Sequence, residues 1–457
     1  MQKTDTIARA ASGARPERAQ RAEGPLKVAL VGFGTVGRSV AKVLSSGIHP
    51  SLELVAICNR GVERKRVDWV PPHVQWTDSI DAVINSDADI IVELMGGLQP
   101  AGDLIRRSLQ AGKSVVTANK QLISVHGVEL LALAQQHKRQ LLFEASVAGG
   151  IPIVRAVREG LAGDRLFRIE GILNGTCNYI LTRMDHNGLS FADSLKEAQA
   201  LGLAEADPTA DVDGYDARAK IAILIAIGLG AQVNPEHIPC RSISAIDSID
   251  FVYARKLDCT IRQVSWAERG SRARPPRMKP ARPRGEDNQL FASVRPVLVP
   301  LTSPLARVDG SQNLVSVQGE FGGATTFSGF GAGGDPTAVA VVSDLMSIAR
   351  AGLGADVHFA SELEGDVDVG TDFTASHYVR FTVADGPGII ASLATRLAAH
   401  GINIDAVLQL PGHDKAHLPF VMTLEACPVS VLDAALADIN ALPFHVRRPM
   451  TVPILGA

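Results

Sequence analysis

Short apolar stretches recur through the first third of the chain. Residues 27–31 (KVALV), 52–58 (LELVAIC), 89–97 (DIIVELMGG) and 114–120 (SVVTANK) have the length and composition of buried strands. A helical spacing of hydrophobic positions follows the first of them, through residue 43. This pattern predicts an α/β fold that begins with a Rossmann-type doubly wound sheet, in which the carboxyl ends of the strands face a crevice.

A glycine-rich turn, GFGTVG, joins the first predicted strand to the first predicted helix. Gly32, Gly34 and Gly37 have the spacing of a dinucleotide-binding turn, which needs a tight bend, close approach of the backbone to pyrophosphate and close packing of the helix. Glycine turns are common, so the motif alone is weak evidence. The strand before it and the helix after it favour the binding of a dinucleotide.

The second predicted strand ends near Asn59, where an NAD-specific site carries Asp or Glu on the ribose hydroxyls. The chain continues instead with Arg60, and three more basic residues follow at 64–66. An arginine can pair with a 2′-phosphate that a carboxylate would repel, so this pattern favours NADP, with NAD possible. A solvated basic loop is the alternative.

The densest group of ionisable residues is EADPTADVDGYDARAK at 205–220, followed by the apolar run IAILIAIGLG. The run has the composition of a buried helix, which places Asp216 and Lys220 at positions i and i+4 on one face. A capped helix start with a surface ion pair is the simpler interpretation. A partly buried ammonium among carboxylates is also a candidate proton donor or acceptor.

This stretch resembles the substrate-site signature of homoserine dehydrogenases, and the resemblance extends from about residue 26 to the C-terminus. It implies reversible hydride transfer between a nicotinamide cofactor and C4 of L-aspartate 4-semialdehyde, with L-homoserine as the reduced compound. Lys220 is then the proton donor and acceptor, assisted by Lys120 of the matching NK pair. Glu205, Asp211 and Asp216 hold the substrate ammonium and orient the lysine. The candidate cofactor-binding residues are Gly32, Gly34, Thr35, Val36, Gly37, Arg60, Lys120, Gly202 and Gly333.

Residues 140–154 (QLLFEASVAGGIPIV) are predicted to form a further strand that ends in a glycine pair and a helix-starting proline. Many loops carry such carbonyls and a carboxylate, so the residues alone are poor evidence for a metal. The resemblance implies a monovalent cation, usually sodium, in a structural role. Its ligands are Glu144, Val147, Gly149 and Ile151.

Two other functions are possible. Cys177, in the segment GILNGTCNYIL, stands where the family commonly has threonine, and a cysteine thiolate is the nucleophile of aspartate-semialdehyde dehydrogenases. A small packed thiol is the simpler interpretation of Cys177. The other possibility is a non-enzymatic amino-acid sensor with a vestigial dinucleotide site, but the density of ionisable residues at 205–220 argues against it.

The segment from about residue 377 reads strand, DGPG turn, helix, strand, strand and helix, and resembles an ACT domain. Such domains commonly bind amino acids, often between paired modules, which makes Asp385, Gly388 and Asn403 candidate effector ligands and L-threonine the candidate effector. A dimerisation module without an effector is the alternative. We expect a homodimer or homotetramer.

The composition also indicates which partners and which cellular compartment to expect. The net charge is −3 with both signs plentiful, which predicts neither a nucleic-acid nor a membrane partner. Five cysteines without CxxC spacing argue against disulfides and zinc and favour a cytoplasmic protein. The predicted divisions are a flexible tail (1–24), a dinucleotide-binding domain (25–150), an α+β substrate-binding and dimerisation domain (151–330) with an exposed basic loop (268–286), a return segment that completes the cofactor domain (331–360), and a ferredoxin-like ACT domain (374–457).

Overall fold

The computed structural model describes residues 24–270, 279–280, 289–353, 365 and 367–456. Residues 1–23 of the predicted tail and most of the predicted basic loop therefore lie outside the described residues. Within that loop, residues 268 and 269 end a long strand, and Lys279–Pro280 form a short one that pairs with Phe373 and Thr374. The prediction of a continuous exposed loop is wrong at these positions, because backbone pairing needs no apolar side chains.

The N-terminal part of the chain forms a parallel sheet. Its strands are β1 (Leu26–Val31), β2 (Leu52–Cys58), β3 (Gln75–Thr77), β4 (Ile90–Glu93), β5 (Ser114–Thr117) and β6 (Leu141–Leu142). Helices α1 (Thr35–Ser45), α2 (Ile80–Ile84), α3 (Ala101–Gln110) and α4 (Lys120–Gln136) connect them. The strand order β3-β2-β1-β4-β5-β6 reverses beside β1, which opens a crevice at the carboxyl ends of β1 and β4. The predicted doubly wound sheet is confirmed.

The strand predicted at residues 140–154 is much shorter than expected. Only β6 pairs with the sheet, and a 3₁₀ turn, Glu144–Ser146, follows it directly. The Glu144 carboxylate accepts hydrogen bonds from the backbone N–H groups of Val154 and Arg155, both at 2.8 Å. The chain therefore folds back on itself after two residues, and the glutamate caps the helix that follows.

The middle of the chain adds a second, mixed sheet covered by helices. Its strands are β7 (Leu166–Ile172), β8 (Cys259–Arg269), β9 (Lys279–Pro280), β10 (Leu290–Pro300), β11 (Gln312–Gly319) and β12 (Gly323–Phe330). The helices are α5 (Ile153–Arg155), which continues as a π-helical turn (Ala156–Gly160), α6 (Gly175–Asn187), α7 (Phe191–Ala200), α8 (Thr209–Val212), α9 (Tyr215–Leu229) and α10 (Ser248–Lys256). Helix α9 is apolar on almost every side because it packs both on this sheet and on α4 of the first domain.

Helix α11 (Gly334–Ala351) returns the chain to the first domain. It packs on α1, where the Ser39 hydroxyl donates to Asp335 Oδ1 at 2.6 Å, and its apolar face joins the core around β1, β2 and β4. A Cβ at Gly334 would lie 2.8 Å from Ser39 Oγ, so a larger residue there would displace the Ser39 side chain that bonds to Asp335.

The C-terminal strands continue the second sheet. They are β13 (Val369–Gly370), β14 (Phe373–Val383), β15 (Ile404–Leu408), β16 (Leu418–Pro428) and β17 (His445–Ile454), with helices α12 (Ile389–Ala399) and α13 (Val429–Asn440). The order β17-β14-β16-β15 is that of a ferredoxin-like module. Because β17 pairs with β10 at Leu298, the strands from the middle of the chain and the C-terminal strands share one sheet of eleven strands.

A buried polar cluster fastens this module to α10. Asp250 Oδ1 accepts a hydrogen bond from the Tyr378 hydroxyl at 2.7 Å and lies 2.9 Å from Arg380 Nε. Arg380 also pairs with Asp247 at 2.6 Å. Burial raises the pKa of the Asp250 carboxyl to about 6, although the Arg380 charge opposes the rise.

Candidate functional site

The predicted pair of Asp216 and Lys220 forms on the first turns of α9. The helix begins after Gly214, whose φ is +88° and whose added Cβ would lie 2.9 Å from the Val294 side chain, so both backbone conformation and packing call for glycine. Lys220 Nζ donates to Asp216 Oδ2 and to the Leu173 carbonyl, each at 2.8 Å. Both side chains are buried, which rules out the simpler interpretation of a surface ion pair.

Lys120 reaches the same aspartate from the other domain. It is the first residue of α4, directly after the carboxyl end of β5, and its Nζ lies 2.5 Å from Asp216 Oδ1. Burial would raise the pKa of the Asp216 carboxyl, but the two ammonium groups outweigh it and hold the pKa well below its usual range. Burial would lower the pKa of Lys120, but the charges of Asp216 and its acidic neighbours raise it. The two oxygens of the Asp216 carboxylate therefore each contact one lysine side chain, Oδ1 that of Lys120 and Oδ2 that of Lys220.

Asp211 and Glu205 lie in different surroundings. Asp211 follows the first residues of the short helix α8, and its Oδ1 accepts from Asn174 Nδ2 at 2.6 Å. Burial raises the pKa of the Asp211 carboxyl, and the Asn174 hydrogen bond opposes the rise. Glu205 is exposed, and its carboxylate has no hydrogen bond or ion pair to any residue in the described part of the chain. Its charge contributes to the raised pKa of Lys120.

Sequence reasoning missed two residues that complete this cluster. Asn174 donates from one nitrogen to both Asp211 and Asp216, and the Leu173 carbonyl accepts from Lys220. Both stand between β7 and α6, in the segment that carries part of the family resemblance. The family resemblance of that segment indicated that it belongs to the site, but its sequence does not show that Asn174 would bond to Asp211 and Asp216.

The glycine turn has the geometry expected of a dinucleotide site. Gly32 has φ +108°, and a Cβ there would lie 2.7 Å from the Leu94 carbonyl carbon, while a Cβ on Gly37 would lie 2.1 Å from the Gly32 oxygen. Gly34 precedes α1 and has no protein atom within 4 Å of its Cβ position. The space outside Gly34 and the N-terminus of α1, with Thr35 and Val36 in its first turn, suit a pyrophosphate.

Three other predicted cofactor residues lie at the ends of elements outside the glycine turn. Arg60 is exposed just beyond β2, next to Asn59, whose Oδ1 accepts from the Phe33 N–H at 3.0 Å. Gly333 precedes α11 with φ +114°. Gly202 lies in an exposed turn after α7.

A buried glutamate at the carboxyl end of β4 was also missed. Glu93 Oε1 accepts from the N–H groups of Met95 and Gly96 at 2.7 and 3.1 Å, and Oε2 accepts from the Thr117 hydroxyl at 2.6 Å. These bonds hold the loop between β4 and α3 against the end of β5. The carboxylate thus shapes the crevice in which a dinucleotide would lie.

The predicted cation ligands fall within one turn of eight residues, 144–151, and the Glu144 carboxylate already accepts two hydrogen bonds as a helix cap. Ala148 and Gly149 both have left-handed backbone conformations, with φ +53° and +40°, and the Ile151 carbonyl accepts from Ile153 N–H at 2.8 Å. The backbone carbonyls of this tight turn are hard oxygen ligands of the kind that sodium prefers. In the described part of the chain, no group of three or more His, Cys, Asp or Glu is arranged to hold a metal.

Cys177 is placed as a structural thiol. It is fully buried on the first turn of α6, and its Sγ lies 3.1 Å from the Asp211 carbonyl oxygen. Burial, together with the charges of Asp211 and Asp216, raises the pKa of the thiol well above its ordinary value. These surroundings disfavour a thiolate nucleophile and, with it, the aspartate-semialdehyde dehydrogenase alternative.

The predicted effector residues fall at two ends of the C-terminal module. Asp385 and Gly388 lie in the loop between β14 and α12, where Gly388 has φ +86° at the helix start. Asn403 follows the far end of α12, about 16 Å along the helix axis. One module does not bring the three residues together, so a common ligand would require paired modules.

Three family models match the chain. The model for the homoserine dehydrogenase NAD-binding domain covers residues 32–144, the homoserine dehydrogenase model covers 152–346, and the ACT domain model covers 377–444. Among curated relatives, the homoserine dehydrogenase of Synechocystis is 36% identical over 94% of this chain and 100% of its own length. That of Mycobacterium tuberculosis is 39% identical over 85% of this chain and 87% of its own.

Solved structures agree with these matches. A homoserine dehydrogenase from Thiobacillus denitrificans superposes with a TM-score of 0.84 at 34% identity, covering 94% of this chain and 98% of its own. A hyperthermophilic archaeal homoserine dehydrogenase in complex with NADPH gives a TM-score of 0.58 at 25% identity over 71% of this chain and 98% of its own. Fold and site define an oxidoreductase that uses a nicotinamide dinucleotide and carries a C-terminal ACT domain. The chain belongs to the homoserine dehydrogenase family.

Proposed function

We propose that the protein catalyses the NADP-preferring, reversible reduction of L-aspartate 4-semialdehyde to L-homoserine. The observation that carries this proposal is the cluster of Lys220, Asp216 and Lys120, which brings two ammonium groups to the crevice between the two domains. The nicotinamide cofactor supplies or accepts the hydride. The protein must then handle the negative charge and the proton at the substrate oxygen.

Lys220 is the proposed proton donor and acceptor. An ammonium group has three N–H donors, and Asp216 and Leu173 take two of them, which leaves one for the substrate oxygen. Lys120, whose pKa the neighbouring carboxylates raise, is the proposed second positive charge that stabilises negative charge on that oxygen. Asp216 orients both lysines and prevents their mutual repulsion from separating them.

Asp211 and Glu205 are the proposed partners of the substrate ammonium. Neither carboxylate has a direct ion pair with a lysine or arginine among the described residues, in contrast to Asp216. The charges of both acids contribute to the raised pKa of Lys120, so both lie near the lysine that would contact the substrate oxygen. Asp211 and Glu205 would therefore neutralise the substrate ammonium, whereas Asp216 orients the two lysines.

The proposed preference for NADP rests on Arg60 and on the lack of a carboxylate at the residue that follows β2. That residue is Asn59, whose side-chain oxygen accepts a hydrogen bond from Phe33 N–H, so it would not repel a 2′-phosphate. The NADPH complex of the archaeal relative supports the same choice. We further propose that a structural sodium ion binds at Glu144 and the backbone of Val147, Gly149 and Ile151.

We also propose that L-threonine acts through paired ACT modules of a homodimer or homotetramer. Its effect would be feedback inhibition in threonine, methionine and isoleucine synthesis.

The test is oxidation of L-homoserine followed at the absorbance of reduced nicotinamide, with NADP or NAD, and with or without L-threonine. Turnover of L-homoserine would support the activity, a faster rate with NADP than with NAD would support the cofactor preference, and a lower rate with L-threonine would support the regulation. If protein that circular dichroism shows to be folded has no turnover with either cofactor, the enzymatic assignment is contradicted. The alternative of a non-enzymatic amino-acid sensor would then be favoured.

A further inference from the structure

Asn174 makes an unusual set of hydrogen bonds at the start of α6. The residue is buried, and its Oδ1 accepts from the Cys177 N–H at 2.8 Å, which caps the helix. Its Nδ2 donates to Asp211 Oδ1 at 2.6 Å and to Asp216 Oδ2 at 2.9 Å. A side-chain amide nitrogen carries two hydrogens, so each carboxylate receives one of them.

The two carboxylates that share this nitrogen repel each other. Asp216 is neutralised by two lysines, whereas Asn174 is the side-chain donor that the described residues provide to the Asp211 carboxylate. The charged groups that act on Asp211 are Asp216 and Lys220 on α9 and Lys120 on α4, with the Cys177 thiol on α6 beside them. Without the amide, burial and the charge of Asp216 would both favour protonated Asp211.

We propose that Asn174 is a positioning residue that keeps Asp211 ionised and fixed beside Asp216, so that Asp211 can bind the substrate ammonium. The inference rests on the proposed function, because it assigns that role to Asp211. Asn174 itself touches neither substrate nor cofactor in this scheme. It acts through the two aspartates.

Helix capping alone does not account for asparagine at this position. Serine or aspartate would accept the Cys177 N–H equally well as an N-cap. A serine hydroxyl has one hydrogen and cannot serve two carboxylates, and an aspartate would add a third negative charge. The amide is the side chain that caps the helix and donates twice.

The experiment compares Asn174→Ser and Asn174→Asp with Asn178→Ser. Asn178 is a matched control, because it is buried on the same helix and its Nδ2 also donates to more than one acceptor: the carbonyls of Val308 and Gly310 at 2.9 and 3.0 Å, with that of Gln312 at 3.4 Å. Both Asn174 variants keep a cap. We expect Asn174→Ser to lower kcat/KM for L-homoserine about 10-fold to 100-fold, mainly through KM, and to move the acid limb of its pH profile upward. Asn174→Asp should move the limb further.

The Asn178→Ser control distinguishes a specific effect of Asn174 on Asp211 from a general disturbance of α6. An acid limb at the wild-type pH in Asn174→Ser, or an equal displacement in Asn178→Ser, would overturn the proposal. If the wild-type protein does not oxidise homoserine, the proposed function fails, and the role of Asn174 is decided by ¹³C NMR titration of the aspartate carboxyls. A higher midpoint for Asp211 in Asn174→Ser than in wild type and Asn178→Ser supports it, and equal midpoints refute it.

Discussion

Replacement of Lys220 by methionine removes the ammonium group while keeping an unbranched side chain of similar length. The substitution deletes the proposed proton donor and one of the two positive charges near the substrate oxygen. General acid–base catalysis contributes about 10²–10⁴-fold to a rate, which is roughly 3–5 kcal/mol of barrier. We expect kcat to fall within this range, with a much smaller change in KM for L-homoserine, because Asp211 and Glu205 remain.

The same substitution has a smaller effect on stability. Removing one partner of a buried ion pair costs about 3–5 kcal/mol when the other charge is left alone. Asp216 keeps Lys120 at 2.5 Å and the Asn174 amide at 2.9 Å, so its charge stays compensated. The loss should therefore stay below that range, at about 1–3 kcal/mol.

Lys113→Met is the matched control for this experiment. Lys113 is also buried, and its Nζ donates to the carbonyls of Ser86 and Ala88 at 2.7 and 2.6 Å, but it stands before β5, at the end of the sheet opposite the crevice. Initial rates of both variants are measured with saturating cofactor, and urea unfolding gives their stability. A Lys220→Met protein that is folded and retains kcat within tenfold of wild type, or a Lys113→Met protein that loses as much kcat, would refute the assignment.

Four further outcomes are expected. Arg60→Ala should raise KM for NADP about 10-fold to 100-fold and leave KM for NAD unchanged, because only NADP carries the 2′-phosphate; equal changes in initial-rate measurements would contradict this. Cys177→Ser should retain most of the turnover in the same assay, whereas abolished turnover in folded protein would restore the thiol-nucleophile alternative. Asp385→Ala should weaken inhibition by L-threonine without changing the uninhibited kcat, and an unaltered inhibition curve would remove Asp385 from the effector site. Asp250→Asn should change the pH dependence of unfolding, because the raised pKa of about 6 means that protonation of Asp250 favours the folded state. The stability of wild type relative to the variant should therefore fall by about 3 kcal/mol as pH rises from about 3 to about 7, and a constant difference in urea unfolding would disprove it.

Local patterns predicted the parts of the site that lie within one element. The glycine turn before α1 and the pair of Asp216 and Lys220 follow from strand and helix periodicity, because their spacing is set by a single backbone geometry. The structure confirms both elements. The error at residues 140–154 has the opposite origin, since apolar composition indicated a strand but the Glu144 carboxylate turns the chain back after two residues.

Contacts between distant elements could not be predicted in the same way. The ion pair between Lys120 and Asp216 depends on how α9 packs against α4, and no periodicity reports that packing. The position of Lys120 after a predicted strand, together with the family resemblance, placed it at the crevice, but neither shows its contact with Asp216. Asn174 escaped notice for the same reason, because an asparagine before a helix is adequately explained as a cap.

The position of α6 explains how a C-terminal module could affect a site in another part of the chain. Its first turn begins beside Asn174, while Asp185 near its other end accepts from Arg255 of α10 at 2.8 Å. Helix α10 carries Asp250, which bonds to Tyr378 of the ACT domain at 2.7 Å. Under the regulation proposed above, we expect an effector bound to the ACT domain to change KM for L-homoserine more than KM for the cofactor, because α10 contacts α6 and the glycine turn lies on the other sheet.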